Sequence, residues 1–169
     1  TIGGTGTSYG INLMYSEYQR IYNNSINILG TSASDGRALN IQTYDFYSGG
    51  SNIENNVLIN IGGGYCYFVS RPDIINISAH NDYYTTGKNI ANWSGNIADL
   101  FDLQLINNKD VHSISCPPLY ISNTDLRPRE IWLNGSGTPL SEITDDIDGE
   151  LRNTTNPDIG ADEFNPFPV

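Results

Sequence analysis

The residues that could do chemistry in this chain are scattered, and the densest group is the acidic run Asp145-Asp146-Ile147-Asp148-Gly149-Glu150. Carboxylates crowded around a glycine suit a hard cation, which makes Asp145, Asp146 and Asp148 candidate calcium ligands. No other cofactor is expected. The run lacks the spaced ligands and closing Glu of an EF-hand loop, and Asp with Gly more often makes Asx turns than cation cages. Asp35, Asp45, Asp73 and Asp82 have the side chain a glycoside hydrolase needs, but no repeat spacing aligns them. The basic residues Arg20, Arg37, Arg71, Lys88, Lys109, Arg127, Arg129 and Arg152 are dispersed, and none pairs with an acidic cluster in the N-terminal part. His80 and His112 are far apart in sequence, without a Ser or Cys in a nucleophile context, so a triad has no support. No catalytic residue is assigned. Four aromatics are the better lead. Tyr22, Tyr44, Tyr47 and Trp93 lie in or beside polar stretches, where an exposed ring can stack on a sugar while its polar tip hydrogen-bonds. These are the candidate ligand-binding residues, weighed against the plainer expectation that β aromatics pack across strands.

What would position such residues is a repeat. A six-residue pattern starts at positions 8, 36 and 64, a step of 28 residues: Ser8-Tyr9-Gly10-Ile11-Asn12-Leu13, Gly36-Arg37-Ala38-Leu39-Asn40-Ile41 and Gly64-Tyr65-Cys66-Tyr67-Phe68-Val69. Positions 10/38/66 are small, and 11/39/67 and 13/41/69 are large and apolar. Alternation of this kind is what a half-buried strand requires, since successive side chains leave opposite faces. A fixed period predicts a solenoid, with each coil burying its apolar face against the next and Leu13, Ile41 and Val69 in one interior file. A second signal follows each strand: Ile21-Tyr22-Asn23-Asn24, Ile53-Glu54-Asn55-Asn56, and an altered copy at Ser78-Ala79-His80-Asn81. Asn tolerates left-handed backbone angles and its amide can bond to the Asn one coil away, which predicts a register-fixing ladder with His80 replacing an Asn in it.

From about residue 85 the repeat stops. Asn96-Ile97-Ala98-Asp99 has the look of a helix start, and Ile97, Leu100, Phe101 and Leu105 fall on one face, predicting a short amphipathic helix over 97–107 that covers the solenoid. Ser113–Ser122 and Asp125–Trp132 read as irregular extended segments, the first broken by Pro117-Pro118. The expected organisation is one domain, with β-helix coils over 1–93 and a capping region over 94–169. Because Thr1 stands almost directly in a repeat, the chain is expected to be an excised fragment whose upstream coils are missing, with a mature product as the alternative.

Composition agrees with turn-rich β structure: charged residues are only 16%, while Asn, Ser, Thr and Gly abound. The net charge of −11 disfavours nucleic acid and anionic membranes as partners, since both select Lys and Arg. No run approaches the roughly 18 apolar residues needed to insert in a bilayer. Cys66 and Cys116 form no metal or redox motif and read as buried free thiols, with a disulfide left open.

Five segments in order carry a resemblance: His80-Asn81-Asp82-Tyr83-Tyr84, Asp125-Leu126-Arg127, Gly137-Thr138-Pro139-Leu140, Asp146-Ile147-Asp148-Gly149 and Pro157-Asp158-Ile159-Gly160-Ala161-Asp162-Glu163-Phe164. Together they resemble the C-terminal part of bacterial secreted right-handed parallel β-helix proteins, the pectate-lyase-like superfamily. The resemblance implies an all-β, right-handed parallel β-helix with an irregular C-terminal cap. It also implies export to the bacterial cell surface or medium, often within a longer chain. The expected role is a scaffold or adhesin segment without its own catalytic site, whose partners are a glycan or surface polymer and the upstream coils of its parent chain. The alternative is part of a polysaccharide lyase or glycoside hydrolase acting on acidic polysaccharide.

Overall fold

The computed structural model describes residues 1–32, 35–43 and 49–166. The candidates Tyr44 and Tyr47, with Asp45, lie outside the described residues. The strands come in rounds of three: β1 (Ser8–Met14), β2 (Arg20–Tyr22) and β3 (Ser25–Ile28), then β4 (Gly36–Gln42), β5 (Ser51–Glu54) and β6 (Val57–Asn60), then β7 (Tyr65–Val69), β8 (Ile75–Ala79) and β9 (Asp82–Thr85). Each strand pairs in parallel with its counterpart one round later, giving sheets β1-β4-β7, β2-β5-β8 and β3-β6-β9. The first sheet is extended by β10 (Ala91–Trp93), parallel to β7, and by β11 (Asn96–Ile97), antiparallel to β10. With one α-helix among the described residues, the protein is all-β in class.

The register follows the 28-residue spacing. Leu13 pairs with Ile41 and Ile41 with Val69, and Ile11, Leu39 and Tyr67 form the neighbouring file. Ala38 and Leu39, like Cys66 and Tyr67, are successive residues that both belong to the inner core, so the alternation slips by one there. The first of each pair must be small. At Gly10 a Cβ would come within 2.4 Å of Ile26 Cγ2 and 2.5 Å of the Ala38 carbonyl oxygen. Cys66 is buried and both cysteines are free thiols.

Between the second and third strands of each round the chain turns on its asparagines. Asn23, Asn55 and His80 take φ of 52°, 58° and 53°, the left-handed region that Asn and His enter more readily than most residues. The next residue builds the ladder. Asn24 donates from its backbone N–H and Nδ2 to Asn56 Oδ1 at 3.0 and 2.9 Å, and Asn56 repeats both bonds to Asn81 Oδ1 at 3.0 Å. His80 therefore occupies the left-handed corner and not the ladder, where Asn81 stands. The backbone N–H of Asn81 donates to Ser113 Oγ, which in turn donates to Asp110 Oδ1 at 2.7 Å.

The helix starts later than its apolar spacing suggests. α1 spans Leu100–Asn107, capped by Asp99 Oδ1 accepting from the backbone N–H of Asp102, because Ile97 is drawn into β11. Leu103 is buried and Leu100 partly so, whereas Phe101 and Leu105 are two-thirds exposed. The packing face is thus set by Leu100 and Leu103. The expected extended segments reduce to an isolated bridge from Ile114 to Asp82 and a 3-10 turn at Ile131–Leu133.

Beyond α1 the chain runs back along the outside of the third sheet instead of closing only its end. Val57 and Ile59 of β6 meet Leu133 and Ile159, with Ile114, Tyr120 and Phe164 alongside, while Leu58 faces the inner core. A strand buried on both faces reads as a continuous apolar run, which accounts for Val57-Leu58-Ile59. The corner residues fasten this cover: Asn23 Nδ2 donates to the Gly160 carbonyl, Asn55 brackets the backbone of Thr138, and His80 Nδ1 lies 2.9 Å from the Ser136 carbonyl.

Candidate functional site

The first sheet turns Leu39, Ile41, Tyr67 and Val69 inward, and its opposite face carries Tyr9, Arg37, Tyr65 and Phe68, all half-buried, beside the buried Asn40. The side chains of that face fall in rows. Tyr9, Arg37 and Tyr65 are register partners, as are Asn12, Asn40, Phe68 and Asn92. The Arg37 guanidinium lies 3.6 Å from the Phe68 ring centroid and 5.7 Å from that of Tyr9. Tyr65 meets Phe68 edge-to-face at 5.5 Å, and its hydroxyl donates to Asn96 Oδ1 at 2.7 Å. Arg37 Nη1 donates to Asn40 Oδ1, and Asn40 Nδ2 donates to Asn12 Oδ1 at 2.7 Å. Arg37 Nε has no acceptor among the described residues. A recess of about 280 Å³ beside Tyr65 is floored by Gly63, Gly64 and Gly87 and also lined by Lys88.

The five strands of this sheet contain no Asp or Glu, and Arg37 is their one charge, in a chain of net charge −11. Rings held edge-to-face, an amide row and a guanidinium flat on an aromatic offer stacking, hydrogen bonds and a positive centre for an oxygen-rich ligand. The strands supply no carboxylate for acid–base work.

The residues singled out in the sequence lie elsewhere. Trp93 is 7% exposed and packs on Tyr67 in the core, ring centroids 5.6 Å apart, because its register partner is the inward Val69. It is removed from the ligand candidates. Tyr22 is half-buried on the second sheet, where its hydroxyl accepts from Asn52 Nδ2 at 3.2 Å. Tyr9, Arg37, Tyr65 and Phe68 were overlooked, although positions 9, 37 and 65 repeat at the same step as the inward columns.

The calcium candidates do not converge. Asp146 accepts from the backbone N–H groups of Asp148, Glu150 and Glu163, and Asp148 pairs with Arg127 at 2.8 Å. Burial raises the Asp146 carboxyl, but those N–H bonds and Arg152 outweigh it and leave its pKa lowered. Asp145 is exposed and bridges Leu151 through its backbone. Among the described residues no three His, Cys, Asp or Glu side chains are placed to hold a metal ion. Asp125, Asp148 and Asp162 surround Arg127 at 3.0, 2.8 and 3.9 Å. Burial, then the charges of Asp146 and Asp148, push the Asp162 carboxyl up to about 6 against the pull of Arg127. This knot ties the loops around residues 125, 146 and 162 together.

Asp35 bonds to Ser32, Asp73 pairs with Arg71, and Asp82 is buried, so they form no common site. His80 and His112, distant in sequence, stack with ring centroids 5.0 Å apart. Compared with protein-family models, with curated proteins and with solved structures, the chain matches none of them.

Proposed function

We propose that this chain is a segment of a right-handed parallel β-helix of the pectate-lyase-like kind, exported to a bacterial surface or medium, which serves as a scaffold or adhesin and binds glycan on the outer face of its first sheet. The parallel pairing of β1 to β6 each with its counterpart one round on supports the architecture. The observation that carries the binding role is the carboxylate-free face on which Arg37 lies against Phe68 beside Tyr9 and Tyr65. A non-catalytic role accords with that composition. β1, β2 and β3 are each the outermost strand of their sheet, and Ile2 already bridges to Ile28, so this edge is where upstream coils of a parent chain would pair. Partners that need a basic surface or a membrane span are not proposed; among the described residues no helix is long and apolar enough to cross a membrane.

Glycan-array screening of the purified chain, beside Arg37→Ala and Phe68→Ala variants, tests the reading. We expect selective binding that either variant weakens about tenfold, the loss of roughly 1.4 kcal/mol. Binding untouched by both variants, or none at all, removes the role from this face. Release of unsaturated uronate from polymeric substrate would replace it with a lyase.

A further inference from the structure

Where the covering segment crosses the left-handed corners it bounds an open cavity of about 480 Å³, lined by none of the residues of the face just described. Its walls are apolar, built from Pro139, Leu140, Ile143, Leu151 and Pro157. Asn55 and Asn23 also line it, and they are used unequally. Asn55 Nδ2 donates to the Thr138 carbonyl at 2.7 Å while its Oδ1 accepts from the Thr138 N–H at 2.9 Å. The side chain of Asn23, one round earlier, donates to the Gly160 carbonyl at 3.3 Å, and its Oδ1 has no donor among the described residues.

Arg152 lines the same cavity and is 8% exposed. Its Nη2 donates to the Gly160 carbonyl at 2.9 Å and its Nη1 to the Asp158 carbonyl and to Glu163 Oε2, each at 3.4 Å, while its Nε has no acceptor among the described residues. Glu163 and Asp146, whose carboxyl pKa Arg152 helps to lower, offset the guanidinium charge, so what the pocket is offered is one unused charged N–H donor among apolar walls, where a hydrogen bond to an anion is strong. The overall charge of −11 acts from farther away, and at physiological salt it is screened beyond about 8 Å. The unpartnered Nε–H of Arg152 therefore favours an anionic acceptor on the ligand. Leu151, 80% exposed at the rim, gains cover when the cavity fills.

We propose that this cavity binds an anionic amphiphile, a compact apolar body bearing one sulfonate, carboxylate or phosphate group directed toward Arg152. The inference rests on none of the residues of the Arg37 face, so either reading can fail without the other. Titration of the whole chain with anilinonaphthalene sulfonate, and with uncharged phenylnaphthylamine, provides the test. We expect one sulfonate per chain, a Kd on the order of 10 µM, and binding at least about fivefold tighter than that of the neutral probe. The sulfonate should also raise the Tm, as a ligand of the native state does and one of a loosened state does not. Leu151→Trp, at an exposed position the fold tolerates, and Ile143→Trp should each weaken it about tenfold by filling the space. Arg152→Gln should make the two probes equal. Absence of saturable binding, or binding unaltered by Leu151→Trp, overturns the site; equal affinity of the two probes for the unmodified chain overturns the anionic class.

Discussion

Asp82 has an acidic side chain at the start of β9, and the interior it occupies determines its behaviour. Its Oδ1 accepts from the Cys116 backbone N–H at 2.9 Å, and burial outweighs the hydrogen bonds from Cys116 and pushes the carboxyl up to about 8. Cys116 and Tyr120 beside it are also raised, by burial first and then by the charge on Asp82. An unfolded Asp titrates near 3.8. Below about pH 4 both states hold the proton and the contribution to stability is complete. As the pH rises toward 8 the unfolded chain ionises and the folded one resists, so stability is progressively lost. We expect the Tm to fall by roughly 10 °C between pH 5 and pH 9, and Asp82→Asn to remove most of that fall while keeping an acceptor for Cys116. Thermal melts of the two proteins across this range check it, and parallel profiles would count against the assignment. The sequence shows Asp82 as a carboxylate of the kind hydrolases use. That it is sealed depends on the segment from Ile114 onward, more than 30 residues away.

At the scale of the element, the ladder shows how one residue type can set register. Asn56 is fully buried, accepts two bonds from Asn24, and donates to Ile21, Glu54 and Asn81. Replacing it with Ala strands several buried donors and acceptors at once, and we expect a loss of about 3 to 5 kcal/mol. Asn24 is half-buried and ends the ladder, and its side chain donates only to Tyr22 and Asn56. Asn24→Ala should cost about 1 kcal/mol. Urea unfolding of both variants measures the ratio, and equal costs would mean that the amides act independently. The paired asparagines are legible because the turn they make is local. The start of the helix is not legible for the complementary reason: helical spacing cannot say which apolar residues a neighbouring strand will claim, and β10 claims Ile97.

At the scale of the whole molecule, successive rounds approach until backbone meets backbone. A Cβ on Gly62 would lie 1.5 Å from the Gly30 carbonyl oxygen, and one on Gly64 would lie 2.2 Å from that of Gly36. Side-chain adjustment cannot relieve a clash with a carbonyl in the adjacent round. Gly62→Ala should therefore destabilise by more than about 3 kcal/mol or prevent folding, whereas Gly95→Ala, with open space around it, should change little. Soluble yield and circular dichroism separate the two. The sequence by itself determined the repeated strands β1, β4 and β7, their register and the asparagine corners, because each is written as a period or a turn within a few residues. Only the tertiary structure decided that Trp93 turns inward, that Arg37 meets Phe68 across strands, and that the C-terminal segment lies along the third sheet and bounds a cavity beside Arg152. Those outcomes depend on contacts between residues far apart in the chain, and no local pattern specifies which of two apolar faces another segment will cover.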